Sequence, residues 1–234
     1  MFRGLMFGIA LATALLGCAT QPVSLKPDAQ SALQSIDSVL LMPKSKIDVS
    51  VTTRYHGAGL IPALLGEYAD AKRVESATVE AAPILKELEA YDFTAVFRES
   101  WVEQLSMIAS PRFLMPPVVD TTALNDANLG INKKANYDRS EATAVLFAKI
   151  DHTLQSGTLM ITAYVEIYPK SPPLMKFRER PVDGDPMNDG NVIYRNAYTY
   201  KKEFVTLNTI KRGLDQGAVD IARQVAADIG RRHQ

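Results

Sequence analysis

Apolar positions recur along this chain with several spacings, and each spacing forecasts a different element. Ser38-Val39-Leu40-Leu41-Met42 is a compact apolar run closed by Pro43, the pattern of a buried strand. Ile47, Val49 and Val51 then alternate with polar neighbours, which predicts a second strand over 47–53. From Glu75 to Ala90 the order Val79, Ala82, Leu85, Leu88 is helical, with Pro83 as a boundary or kink. Asp92 suits the N-cap of a further helix that sets Phe93, Val96, Phe97, Val102 and Leu105 on one side, with Trp101 at the edge of that stripe.

The second half of the chain carries the clearest β pattern. Arg112 to Val119 is apolar, and Pro116 and Pro117 disfavour helix, so an extended segment is expected. Ala144–Ile150 and Thr158–Tyr168 flank Gln155-Ser156-Gly157, and Ile161, Ala163, Val165 and Ile167 alternate with Thr162, Tyr164 and Glu166. That pattern predicts a hairpin. Val192 to Phe204 adds a third strand, and Leu207, Ile210, Leu214, Ala218, Ile221, Val225 and Ile229 mark a long amphipathic helix ending near Gly230. Between these elements, Thr121–Arg139 is rich in Asn, Asp and Lys and reads as a surface loop. Pro169–Asn191, with four further prolines, reads as an exposed excursion. Helices mixed with hairpin-joined strands argue an α+β fold, a mostly antiparallel sheet with helices packed on one face.

Composition adds limits. A chain of 234 residues with 47% hydrophobic and 22% charged residues buries a real core and fits one domain. Net charge is zero and the charges are interspersed, so neither nucleic acid nor anionic lipid has an electrostatic claim on it. The start of the chain follows a different pattern. Arg3 is followed by the apolar run Leu5–Leu16 and then by small Gly17, the layout of a signal peptide. The run is shorter than the roughly 20 residues of a spanning helix.

Leu15-Leu16-Gly17-Cys18 resembles the lipobox of bacterial lipoproteins, and Cys18 is the only cysteine in the chain. The resemblance implies cleavage between Gly17 and Cys18 and lipidation of Cys18 by a diacylglycerol thioether and an N-acyl chain such as palmitate. Each buried CH₂ contributes about 0.8 kcal/mol, so several chains hold a protein where one binds marginally. Lipoproteins kept in the inner membrane often carry Asp after the cysteine. Ala19 here points to the outer membrane, facing the periplasm. With Cys18 consumed, the mature chain has no disulfide to lean on. The expected organisation is a signal peptide at 1–17, a flexible tether at 18–36, and one α+β periplasmic domain at 37–234.

Residues with catalytic potential are sparse. The three histidines, His56, His152 and His233, show no ligand spacing, and no metal or other cofactor is expected. His152 follows Asp151 and is the one candidate base, but no nucleophile motif accompanies it. Asp183 to Gly190 looks like a calcium loop, yet Met187 falls where a third oxygen ligand belongs and no glutamate closes it. Gly57-Ala58-Gly59 lacks the rest of a phosphate loop. Glu99 and Glu103 read as a solvated helix face, and Tyr194, Tyr198 and Tyr200 share one strand face, where aromatic packing is commoner than ligand binding. Leu60, Ile61, Leu64 and Leu65 form an apolar segment suited to docking a partner. The expectation is therefore a non-enzymatic, lipid-anchored accessory protein working through contacts with envelope proteins. The element order loosely resembles small lipoprotein domains that activate cell-wall synthases or assist envelope export machines. Two alternatives stand beside it: a lipid or small-molecule carrier using Leu60–Leu65 and the sheet face, and a hydrolase of unrecognised type using His152 with Asp151.

Overall fold

The computed structural model describes residues 21–42, 86, 88, 90–121, 126–155, 158–203 and 207–230. The elements run α1 (Pro27–Ala32), β1 (Ser35–Leu41), α2 (Phe93–Ser106), β2 (Arg112–Asp120), α3 (Asp126–Arg139), β3 (Ala144–Gln155) and β4 (Thr158–Pro169). They continue with α4 (Pro172–Met175), a 3₁₀ turn at Asp189–Asn191, β5 (Tyr194–Glu203) and α5 (Leu207–Ile229). The class is α+β, as expected. The expected strand at 47–53 and nearly all of the expected helix at 75–90 lie outside the described residues.

One five-stranded sheet has the order β2-β1-β3-β4-β5. Its longer ladders, β3 with β4 and β4 with β5, are antiparallel, and β1 pairs in parallel with both β2 and β3. Val39, Leu40, Leu41 and Met42 are all buried, which is why this strand shows a continuous apolar run instead of alternation. Pro116 and Pro117 lie on the edge strand β2, where the register against β1 shifts between Asp37 and Val39. Proline cannot donate to a ladder and is tolerated at such edges and bulges.

The inner face carries the main core. Leu146, Ala148 and Ile150 of β3 and Ile161, Ala163, Val165 and Ile167 of β4 meet α2 and α5. Asp92 caps α2 as expected, its Oδ1 accepting from the Ala95 amide at 2.9 Å. Trp101, expected at the stripe's edge, is wholly buried and donates from Nε1 to Ser38 Oγ at 3.3 Å. From Ile210 to Ile229 the apolar stripe of α5 is buried throughout, and Glu99 and Glu103 of α2 face solvent.

Two expectations need correction. The segment read as a loop at 121–139 contains the helix α3, and it lies on the opposite sheet face from α2 and α5. There Tyr137 joins Val39, Leu41, Val145, Phe147 and Tyr168 in a smaller core. The tether expected over 18–36 is, from Val23 onward, part of the fold. Val23 exchanges two backbone hydrogen bonds with Arg195 on β5 at 2.8 and 2.9 Å, and Ala29 and Leu33 are buried. Gln30 Nε2 donates to the Ile229 carbonyl at the end of α5 at 3.1 Å. Polar composition hid both segments, because each is held by a few buried side chains and specific hydrogen bonds instead of an apolar stripe.

Close packing of α5 on the sheet depends on two glycines. A Cβ at Gly217 would lie 2.4 Å from Ile161 Cδ1 and 2.7 Å from the Tyr200 ring, whereas one at Gly213 would meet only Leu159 Cδ2 at 2.8 Å. Gly217→Val is expected to destabilise the domain by about 1–3 kcal/mol through overpacking. Gly213→Ala gains helix propensity of up to about 1 kcal/mol and needs one methyl to shift, so it should stay within about 1 kcal/mol of the parent. Urea midpoints of the two variants check this, and equal losses would refute the difference in packing.

Candidate functional site

The residues expected to matter separate in the structure. Adjacent strand positions point to opposite faces, so His152 is buried on the inner face, its ring centroid 4.8 Å from that of Phe93. Asp151 leaves β3 on the other face, exposed, and its Oδ1 accepts from the His152 backbone amide at 2.8 Å. The carboxylate therefore binds the main chain and does not orient the imidazole. In the loop that resembled a calcium site, Asp185 Oδ1 accepts from the Met187 amide and Asn188 Oδ1 from the Gly190 amide, the bonding of Asx turns. Gly184 takes the left-handed backbone there, with φ of 89°. Gly17, Cys18, His56, Gly57 to Gly59, Leu60, Ile61, Leu64, Leu65 and His233 lie outside the described residues.

The tyrosines are packed, not displayed. Tyr194 and Tyr198 are buried under α5 with their hydroxyls hydrogen-bonded to each other. Both hydroxyl oxygens also lie within hydrogen-bonding distance of Asp228 Oδ2, at 3.1 and 2.8 Å, and that oxygen accepts a bond from Asn196 Nδ2 at 3.2 Å. Burial pushes the Tyr194 hydroxyl up to about 12 and raises that of Tyr198 as well, so both remain protonated donors at neutral pH.

Polar organisation concentrates on the outer face, around residues with no motif to announce them. Arg195, 7% exposed, donates from Nε to Glu166 Oε1 at 3.1 Å and from Nη2 to the Asp189 carbonyl at 2.7 Å, and its Nη1 lies 3.5 Å from Glu179. Its own backbone holds Val23. Glu166 also accepts from Lys133 Nζ at 2.7 Å, and that ammonium stands over the rings of Phe147 and Tyr168 at 5.4 and 5.2 Å. Lys170 donates to the carbonyls of Tyr137 and Ser140, closing the C-terminal end of α3. These contacts seat a helix whose one buried apolar side chain, among the described residues, is Tyr137.

The excursion between β4 and β5 is ordered by one buried amide. Asn191, 2% exposed, donates from Nδ2 to the carbonyls of Val182 and Asp185 at 2.8 and 2.7 Å. Its Oδ1 accepts from the Val182 amide at 2.9 Å and from Arg178 Nη1 at 3.2 Å. All four bonding positions of the side chain are filled. Between this excursion and the end of α3 lies a cavity of about 220 Å³. Only the abundance of prolines in a long connection hinted at it, since such connections are usually either functional or disordered.

No protein-family model matches the chain, and no curated protein matches it. Among solved structures it is similar to a Xanthomonas campestris protein described under the family DUF330, at 12% identity and a TM-score of 0.35, over 89% of this chain and 88% of that one. It is also similar to an uncharacterised protein at 10% identity and a TM-score of 0.31, over 86% of this chain and 95% of that one. At TM-scores this low neither likeness carries an argument about fold or function.

Glu166 makes the outer face testable. Burial alone would raise its carboxyl, but Lys133 and Arg195 outweigh burial and hold it below the usual glutamate range. Because the folded value lies below the unfolded one, this stabilisation is complete at neutral pH and fades as pH falls below the ordinary glutamate value and through the folded one. Glu166→Gln should cost about 3 kcal/mol at pH 7, since it leaves two cations short of their partner. The gap from the parent should hold from pH 7 to about pH 5 and narrow only as pH falls below about 4 in chemical denaturation. A gap that does not change with pH would refute the role of the charge.

Proposed function

We propose that this chain is a lipid-anchored accessory protein of the bacterial outer membrane, facing the periplasm and acting through contacts with other envelope proteins. Its support is the spacing between Leu15-Leu16-Gly17-Cys18 and Val23, the first of the described residues held by the fold. An extended residue spans about 3.3–3.6 Å, so the segment from Cys18 to Val23 reaches no more than about 18 Å. A lipid on Cys18 would hold the domain against the membrane by the β5 edge. Anchoring on so short a segment suits a protein that must meet partners at a set height above the bilayer. Leu60, Ile61, Leu64 and Leu65 are the segment proposed to meet such a partner. The hydrolase alternative loses support, because Asp151 and His152 leave the strand on opposite faces.

Cys18→Ser is expected to leave an uncleaved precursor that takes up no labelled palmitate. Labelling that persists in this variant would overturn the anchor. Site-specific crosslinking from Leu60, Ile61, Leu64 and Leu65 in intact cells should recover an envelope protein, and recovery of none would remove that segment from the proposal. Inserting about ten flexible residues between Thr20 and Gln21 adds up to about 36 Å of reach. If height matters, that crosslink yield falls several-fold while palmitate labelling is unchanged.

A further inference from the structure

Neighbouring antiparallel strands are joined by about two to five residues in an ordinary hairpin, yet β4 and β5 are joined by the whole of 170–193. That connection is built to a fixed shape. Asn191 spends all its bonding capacity on it, and Gly190 packs so tightly that a Cβ would fall 2.3 Å from the Arg180 carbonyl oxygen. Tyr137 is fixed against it from α3, its hydroxyl donating to the Pro169 carbonyl at 2.7 Å. The half-open pocket that Tyr137 and Asn191 help to line, about 220 Å³, is far above the about 10–15 Å³ that one water needs. It is below the about 300–1,000 Å³ of sites for larger organic ligands, so its scale is that of a small metabolite.

The lining has a definite chemistry. Met175, Val182, Pro169 and Pro186 supply apolar wall. Arg178 lines the same space, half-buried, with Nε donating to the Met175 carbonyl at 3.0 Å and Nη1 to Asn191. Those bonds hold the guanidinium flat in one position and leave Nη2 uncommitted, and Arg178 has no carboxylate partner among the described residues. Asp183 lines the cavity as well, and the two opposite charges do not pair with each other. A half-buried guanidinium is matched best by a carboxylate, which it can grip through fixed N–H donors.

We propose that this cavity binds a small α-amino acid with an apolar side chain, its carboxylate on Arg178, its ammonium toward Asp183, and its side chain against Val182 and Met175. A zwitterion of this kind satisfies the half-buried charge of Arg178 and meets the exposed carboxylate of Asp183 at the rim, and the apolar walls take up what remains. The site is independent of the anchor and of the partner-docking segment.

Calorimetric titration of the full chain, purified in detergent, tests this with three probes: leucine, isovalerate without the ammonium, and isoamylamine without the carboxylate. Leucine is expected to bind saturably with a Kd of about 1 mM or tighter. Isovalerate should bind several-fold more weakly, and isoamylamine not measurably. Arg178→Gln should raise the Kd for leucine at least about tenfold. Because Arg178 also supports Asn191, a second variant guards against misfolding: Val182→Trp fills the cavity from a residue 38% exposed and should abolish binding with the thermal midpoint kept. Asp183→Asn should weaken leucine and leave isovalerate unchanged. Failure of both leucine and isovalerate to bind at 10-fold above about 1 mM overturns the proposal, as does leucine binding that survives both Arg178→Gln and Val182→Trp.

Discussion

The pairing of β3 with β4 along their whole length sets which side chains face each of the two cores. Twelve consecutive residue pairs, from Ala144 opposite Pro169 to Gln155 opposite Thr158, leave no room for slippage, because a shift of one residue would turn every side chain to the wrong face. On the inner face this register offers Leu146, Ile150, Ile161, Val165 and Ile167 to α2 and α5. On the outer face it sets Phe147, Glu166 and Tyr168 side by side, an aromatic floor with one carboxylate in it. The apolar side is held by area, the polar side by geometry, and both derive from the same ladder.

The outer face shows how a few charges can stand in for a hydrophobic stripe. Among its described side chains α3 contributes Tyr137 and Lys133, and Glu166 and Lys170, the latter at its C-terminal carbonyls, hold it from outside the helix. Arg195 does the same for the first part of the fold. Its side chain is fixed by Glu166, Glu179 and the Asp189 carbonyl, while its main chain pairs with Val23. One residue thus ties the N-terminal segment, the sheet and the excursion together. Such networks are stable when every member is satisfied and vulnerable when one is removed.

How far the sequence could be read follows from which force holds each element. α5 and the β3–β4 hairpin are held by periodic burial, and periodicity is visible in a string of letters, so α5 and β4 were legible nearly to the residue. β3 runs on past the expected end at Ile150 to Gln155. The cap of α2 was legible because Asp92 acts within three residues of itself. α3 was not, since its partners Glu166 and Lys170 sit about thirty residues away and its composition is that of a loop. Val23 and Gln30 failed for the same reason, one pairing with Arg195 and the other with Ile229. For the candidate site, Asn191 and Arg178 are ordinary polar residues in a proline-rich stretch, and only the fold shows that they face a shared space. Asp151 and His152 gave the opposite lesson, as neighbours in sequence that the pleat drives apart.

The prolines of β2 have a consequence for how copies of this domain could meet. A sheet grows into a ribbon only if both outer strands are adhesive, each molecule offering one edge and accepting the other. Here one edge is interrupted at Pro116 and Pro117, and the other, β5, is already engaged at Arg195 by Val23. The domain has at most one adhesive side, so strand-by-strand association stops at a pair. That limit is a built-in chain terminator against fibres.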